Sequence, residues 1–443
     1  MKIRILSTII FVLALSGANY SQMLDKAKLD KFFDALAEKN KAMGSLTVSK
    51  NGNVLYSRAV GYSQISDKEK KSSTVSTKYR VGSITKMFTA TMILQLVEEN
   101  KIRLTDTLDK FYPQMPNAGK ITVGNLLNHR SGLHSFTADA DFPTWLGKPK
   151  TQSEMLAVIA KGKPLFEPNA KAAYSNSNYV LLGYIIEKVS GKSYQTVLKE
   201  KITGKIGLSN TYLGGKRNAG DNESYSYSYA GDWKSATETD MSIPGGAGAL
   251  VSTPTDLTKF ITALFGSKLV SENSLNQMKT MTDGYGMGMF QYPLDGKKLY
   301  GHTGGIDGFN SMLVYLPEEN LAVAYTSNGT VYSVNDILLG VFAVYFNQPL
   351  TIPTFETVVV KAEDLEKYTG VYSSSEFPLK ITVTKDKTTL FAQATGQAAF
   401  ALDATDKDKF KFETAGIVIE FVTEKNQMLL KQGGQQFLFV KDK

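Results

Sequence analysis

The stretch YRVGSITKMFTATMILQLVEEN, residues 79–100, constrains this chain more than any other. Ile84, Met87, Phe88, Leu94, Leu96 and Val97 give an apolar surface wider than one helical stripe, and Asn100 closes the run. Such a helix is buried on most sides, so the fold must supply layers around it. A lysine facing that core is costly, yet Lys86 follows Ser83 by one helical turn at the helix mouth.

A second run, NSNYVLLGYIIEKVSGKSY, repeats Val180, Leu181, Tyr184, Ile185 and Val189 at helical spacing, with Gly191 as its stop. Strand patterns flank these helices. SLTVSKNGNVLYSRAVGYS has β-rich arms around Asn51-Gly52, a pair suited to a tight hairpin turn, so residues 45–61 read as two paired strands. KKLYGHTGG, NSMLVYLP and NLAVAYTSN read as an antiparallel meander. The expected class is α+β: an antiparallel sheet formed by N- and C-terminal strands, plus a helical region. After the prolines of NQPLTIPTFETVVV, short β runs alternate with turn residues, as in a small antiparallel barrel or sandwich. The expected division is a main domain over 23–350, a linker over 351–364 and a small all-β domain over 365–443.

Lys2 and Arg4, an apolar run from Ile5 to Leu15 and small residues to Ala18 form the pattern of a secretory signal peptide over residues 1–20. The run covers about half a hydrocarbon core, so no stable membrane anchor is expected. With no cysteine in the chain, disulfides, thiolate nucleophiles and Cys-based metal sites are excluded. The 50 Lys and Arg are interspersed with 42 Asp and Glu, which argues against a nucleic-acid partner. The three histidines, His129, His134 and His302, lack metal-ligand spacing on a helix, so neither a metal nor an organic cofactor is expected. The first two read as structural.

Three short elements carry chemistry. If Ser83 opens its helix, the Lys86 amine stands within reach of the hydroxyl, and a desolvated lysine of lowered pKa can take a serine proton. Taken alone, the pair is also what a capped helix with a lysine reaching to water looks like. In AAYSNSNY, Tyr174 beside an ammonium can serve as a general base, and Asn176 can hydrogen-bond the lysine or a substrate amide; a loop tyrosine and a capping asparagine would look the same. In YGHTGGIDG, the small residues after His302 and Thr303 let a substrate backbone lie along a strand edge, where the Gly305 N–H can join that of Ser83 as an oxyanion pair. A Gly-rich turn is the alternative. Two loops, HSFTADADFPTWLG and NESYSYSYAGDW, are expected near the site; Tyr225, Tyr227 and Tyr229 of the latter either wall the cleft or form a plain exposed strand.

In this order, Ser-x-x-Lys, Tyr-x-Asn and His-Thr-Gly resemble the serine β-lactamase and penicillin-binding-protein family. The tyrosine in the second element points to the branch of class C β-lactamases, D-alanyl-D-alanine carboxypeptidases, D-aminopeptidases and related esterases. The likeness covers residues 24–350 and includes TKYRVGSITK, LLNHRSGL and GAGALVSTPTDLTKF. It implies that Ser83 is acylated, that Lys86 and Tyr174 share proton transfer, and that Asn176 orients lysine and substrate. His302, Thr303, Gly304 and Gly305 would line the far side. It implies a C-terminal β-barrel of lipocalin-like type that shapes access to the cleft or holds homo-oligomers together. The leader pattern of residues 1–20 places the protein outside the cytoplasm, in the bacterial periplasm or outside the cell.

The expected activity is an exported serine hydrolase cleaving amide or ester bonds of small peptides, esters or β-lactams, with D-amino-acid peptides foremost. A carboxylesterase or weak β-lactamase is the alternative within the family, and a non-catalytic scaffold the alternative outside it. Class C enzymes carry Lys-Thr-Gly where this chain has His302-Thr303-Gly304. A neutral imidazole there withdraws the fixed cation that would favour a β-lactam carboxylate.

Overall fold

The computed structural model describes residues 24–442 except 67, 218, 230, 231, 356, 357, 359, 378, 397, 398, 413, 414, 433 and 434. The leader expected over residues 1–20 lies outside the described residues. Six strands build the main sheet: β1 (Ala42–Lys50), β2 (Asn53–Val60), β3 (Phe290–Leu294), β4 (Lys297–Ile306), β5 (Phe309–Leu316) and β6 (Leu321–Thr330). Their order is β3-β4-β5-β6-β1-β2. The join between the two ends of the main domain is the β1–β6 ladder, from Ala42 opposite Thr330 to Lys50 opposite Leu321. The β1–β2 hairpin turns through Asn51 and Gly52 at φ 52° and 79°, the left-handed region that asparagine and glycine tolerate best.

Both faces of this sheet are covered. Helices α1 (Lys26–Glu38) and α5 (Val334–Tyr345) bury Phe32, Phe33, Ile337 and Val341 against Leu46, Val48, Val314 and Val323 on one side. On the other, α2 (Thr85–Glu98), α3 (Asn176–Ser190) and α4 (Pro254–Phe265) form a larger core with Leu313, Tyr315, Ala322 and Ala324. Double coverage explains why β1 is buried from Ala42 to Ser49 instead of alternating. Helix α2 is buried from Thr85 through Leu96, as its all-round apolar surface requires. At roughly 2 kcal/mol for each fully buried Leu, Ile or Phe, this core holds α2 firmly beneath a reactive group at its N-terminus. Helix α3 ends at Gly191, φ 67°, the left-handed stop expected there.

Beyond the main sheet, eight strands running from Gly370–Ser373 to Gln435–Lys441 pair in sequence order and close into a barrel, with Tyr372 opposite Lys441 at the seam. Its interior is filled by Tyr368, Phe410, Phe421, Met428 and Phe439, among others. A 3-10 turn, Ala362–Tyr368, straddles the expected linker boundary. The segment before it bridges the two parts: Phe355 packs edge-on against Tyr332, and Val358 N donates to Ala404 O at 2.9 Å. Among the described residues, no helix is long and apolar enough to cross a membrane.

Candidate active site

A short strand, Tyr79–Arg80, pairs with Leu250–Ser252 and delivers the chain to a 3-10 turn at Gly82–Ile84, which runs on into α2. Gly82 has φ 49°, and a Cβ there would lie 2.9 Å from the Gly305 nitrogen. Glycine is therefore required on two counts, and the turn brings the Ser83 amide beside that of Gly305. Strand β3 pairs with β4 only as far as Gly301, opposite Phe290, so the turn packs on β4 past the end of β3.

Lys86 is fully buried. Its Nζ lies 2.9 Å from Ser83 Oγ, 2.8 Å from Asn176 Oδ1 and 2.7 Å from the Ala247 carbonyl. Burial holds its pKa well below the ordinary lysine value. A neutral amine has two N–H groups and one lone pair. Two of the partners here can only accept, and the third, the Ser83 hydroxyl, can accept from the nitrogen or donate to its lone pair. Asn176 opens α3, and its Nδ2 donates to Thr137 Oγ1 at 3.0 Å, which turns Oδ1 towards the lysine.

Tyr174 approaches from the other side, its OH donating to Ser83 Oγ at 2.7 Å, with the Lys86 nitrogen 4.9 Å from its ring centre. Burial pushes the phenol up, and the bond to Ser83 only partly offsets this. Tyr174 is thus a protonated donor in the resting site.

His129 is the support behind this tyrosine. Its ring lies 4.5 Å from that of Tyr174, and its Nδ1 accepts from Ser175 N at 3.1 Å. Burial, then the neighbouring Lys86 and His302, holds it well below the usual imidazole range. His134 takes no part; its Nε2 meets Asp139 Oδ1 at 2.7 Å.

The His-Thr-Gly-Gly stretch is divided by the alternation of β4. His302 is buried, 4.8 Å from the Phe290 ring and 6.2 Å from that of Tyr174, and burial with the nearby Lys86 pulls it down to about 3. It is a neutral packing partner of Tyr174. Thr303 points to the opposite face and lines an adjoining groove with Phe290 and Tyr292. Gly304 packs on the Val81 carbonyl, where a Cβ would come within 2.1 Å, while Gly305 faces open space.

Ser83, Asn176 and Gly305 open onto a cleft of about 300 Å³, walled by Phe136, Phe142, Ile243 and Pro244. The loop HSFTADADFPTWLG supplies the two phenylalanines and Thr137. None of the described residues of the tyrosine loop lines the cleft: Tyr227 is buried with its OH on Ile65 N, and Tyr229 packs on Trp233. Asp307 is the one charged residue lining the cleft among the described residues, and it is paired with Arg80 at 3.1 Å. The Ala247 carbonyl escaped sequence reasoning because any residue type presents one. Among the described residues, no group of three or more His, Cys, Asp or Glu could hold a metal.

The Beta-lactamase family model matches residues 29–340. The chain belongs to the Beta-lactamase family. Penicillin-binding protein 4* of Bacillus subtilis is 27% identical over 444 residues, covering 92% of this chain and 97% of that protein. The D-amino acid amidase of Ochrobactrum anthropi SV3, solved with L-phenylalanine, superposes with a TM-score of 0.65 at 27% identity over 73% of this chain and 98% of the amidase. An octameric penicillin-binding protein homologue from Pyrococcus abyssi has a TM-score of 0.65 at 26% identity and covers 94% of this chain and all of its own. This Beta-lactamase-family chain is a serine hydrolase.

Proposed function

We propose that the protein is an exported hydrolase that forms an acyl-enzyme on Ser83 and cleaves amide or ester bonds, with D-amino-acid peptides and amides as its substrate class. One observation carries the reading: Ser83 Oγ sits between the Lys86 amine at 2.9 Å, whose pKa burial holds well below the ordinary lysine value, and the Tyr174 phenol at 2.7 Å, at the edge of an apolar-walled cleft.

The lone pair of Lys86 takes the Ser83 proton as Oγ attacks the carbonyl carbon. The Ser83 and Gly305 amides receive the developing oxyanion. Tyr174 gives its proton to the leaving nitrogen or oxygen as that bond breaks, and the proton held on Lys86 returns to the phenolate. Both groups are then restored for attack by water on the acyl-enzyme.

The cleft also bears on substrate. Its one charged residue among the described residues is a paired carboxylate, so a C-terminal carboxylate or a β-lactam carboxylate would lose hydration without gaining a cation. Uncharged acyl groups with an apolar side chain suit Phe136, Phe142 and Ile243 better. The D-amino acid amidase likeness supports the D-residue assignment, and the leader pattern of residues 1–20 supports export. An oligomer is in keeping with the octameric relative.

The test is incubation with a fluorophosphonate and mass mapping, followed by paired D- and L-phenylalanine anilides, p-nitrophenyl esters, a D-Ala-D-Ala peptide and nitrocefin. A Ser83 adduct with preference for the D-anilide is expected. An unlabelled Ser83 in folded protein, or equal turnover of the L-anilide, would refute the hydrolase or the D-residue assignment respectively.

A further inference from the structure

We infer that Arg80, through its ion pair with Asp307, is a positioning residue for the oxyanion site. The inference rests on Ser83 being the acylated nucleophile. Arg80 lies three residues before Ser83 on the strand that delivers it, and Asp307 lies two residues after Gly305 in the hairpin that joins β4 to β5. The pair therefore ties together the two backbone segments that carry the oxyanion donors, close to both.

The contacts are specific. Arg80 Nη1 reaches Asp307 Oδ2 at 3.1 Å and the Thr239 carbonyl at 2.9 Å, and Nη2 stands 3.4 Å from Glu238 Oε2. Asp307 Oδ1 in turn accepts from Thr239 N at 2.9 Å and Thr239 Oγ1 at 2.7 Å. Both side chains are nearly sealed from water, at 7% and 3% exposure. Asp307 holds φ 55°, so the hairpin keeps this residue in the left-handed region while its carboxylate is anchored from below. An ion pair this deep is a poor source of stability, because desolvation offsets attraction. What it supplies is direction: a planar guanidinium with several fixed N–H vectors locks its partners at set angles.

Elsewhere the turn around Ser83 meets β4 and β5 through short, non-ionic contacts, among them Ser311 Oγ donating to the Val81 carbonyl at 2.9 Å. These fix the spacing at Val81. The ion pair fixes the far end, where the hairpin could otherwise pivot and carry the Gly305 N–H away from the oxyanion. Loss of a single oxyanion donor costs ~10² to 10³ in rate, and a partial displacement costs less.

The experiment uses Arg80→Met in the full chain, since Arg80 does not line the cleft. Active sites are counted by fluorophosphonate adduct at Ser83. Turnover per labelled site is then measured for an ester and for its thionoester, in which sulfur replaces the carbonyl oxygen and meets the donors poorly. The expected result is a fall in kcat of ~10-fold or more with KM within ~3-fold, and a matching loss of the ester-over-thionoester preference. Should Arg80→Met not fold, Arg80→Lys keeps the charge without the fork, and the same preference should fall by a smaller factor. Unchanged kcat, or a lower kcat with the preference intact, would overturn the positioning role. Failure of the unsubstituted chain to label at Ser83 would instead overturn the hydrolase reading, and this inference with it.

Discussion

Acidification should expose the cost of the buried imidazole at His302. In the folded protein this ring is held to about 3 by burial and the nearby Lys86, against 6.5 when exposed. Through that window the unfolded chain binds a proton that the folded chain refuses, so stability falls as pH falls, beginning near 6.5 and levelling off below about 3. Between pH 7 and pH 4 the unfolded imidazole becomes almost fully charged while the folded one stays neutral. The differential is worth about 3 kcal/mol, a large share of the stability of an ordinary domain. His129 shares the sign, so the native chain must be compared with His302→Gln, which is uncharged and can still donate to the Thr303 carbonyl. Urea unfolding at the two pH values, followed by tryptophan fluorescence, isolates the hydrolase part, because the only two tryptophans are Trp145 and Trp233. The native chain should lose about 3 kcal/mol more than His302→Gln on going from pH 7 to pH 4. Equal losses in both proteins would mean that the imidazole protonates freely in the fold, and the burial argument would fail.

Lys86→Met and Tyr174→Phe should each slow acylation by ~10² or more, and the double variant should lose far less than the product; rapid-quench labelling measures this, and fully additive losses would mean separate roles. The kcat/KM for an uncharged ester should rise with pH along a limb well below the ordinary lysine value, since the reactive amine must be neutral; a limb near 10.5 would refute a neutral resting Lys86. Gly304→Ala should destabilise by about 3 kcal/mol in thermal unfolding, because its Cβ meets the Val81 carbonyl at 2.1 Å, whereas Gly305→Ala, with open space around it, should leave Tm within about 2 °C and raise KM several-fold. Equal effects at the two glycines would contradict the division of that strand.

The local patterns were legible in the sequence because each follows from neighbouring residues alone. The all-round apolar surface of residues 84–97 demands a buried helix, Asn51-Gly52 demands a hairpin, and regular turn residues after 365 demand short paired strands. The order Ser-x-x-Lys, Tyr-x-Asn, His-Thr-Gly was readable for the same reason, and it led to the family. Which side of β4 each residue faces was not readable, because it depends on where β5 and the Gly82 turn press on that strand. That packing sends Thr303 into a neighbouring groove, buries His302 behind Tyr174, and leaves Gly305 alone of the four facing open space in the Ser83 cleft. A lowered pKa at Lys86 was expected from a lysine facing a core, but the groups that enclose it were not readable. Enclosure by α3 and the Ala247 carbonyl removes the water that would favour the charged amine, and that enclosure comes from segments far apart in the chain. Motif residues are chosen one position at a time, whereas the charge state of a buried group is set by everything folded around it.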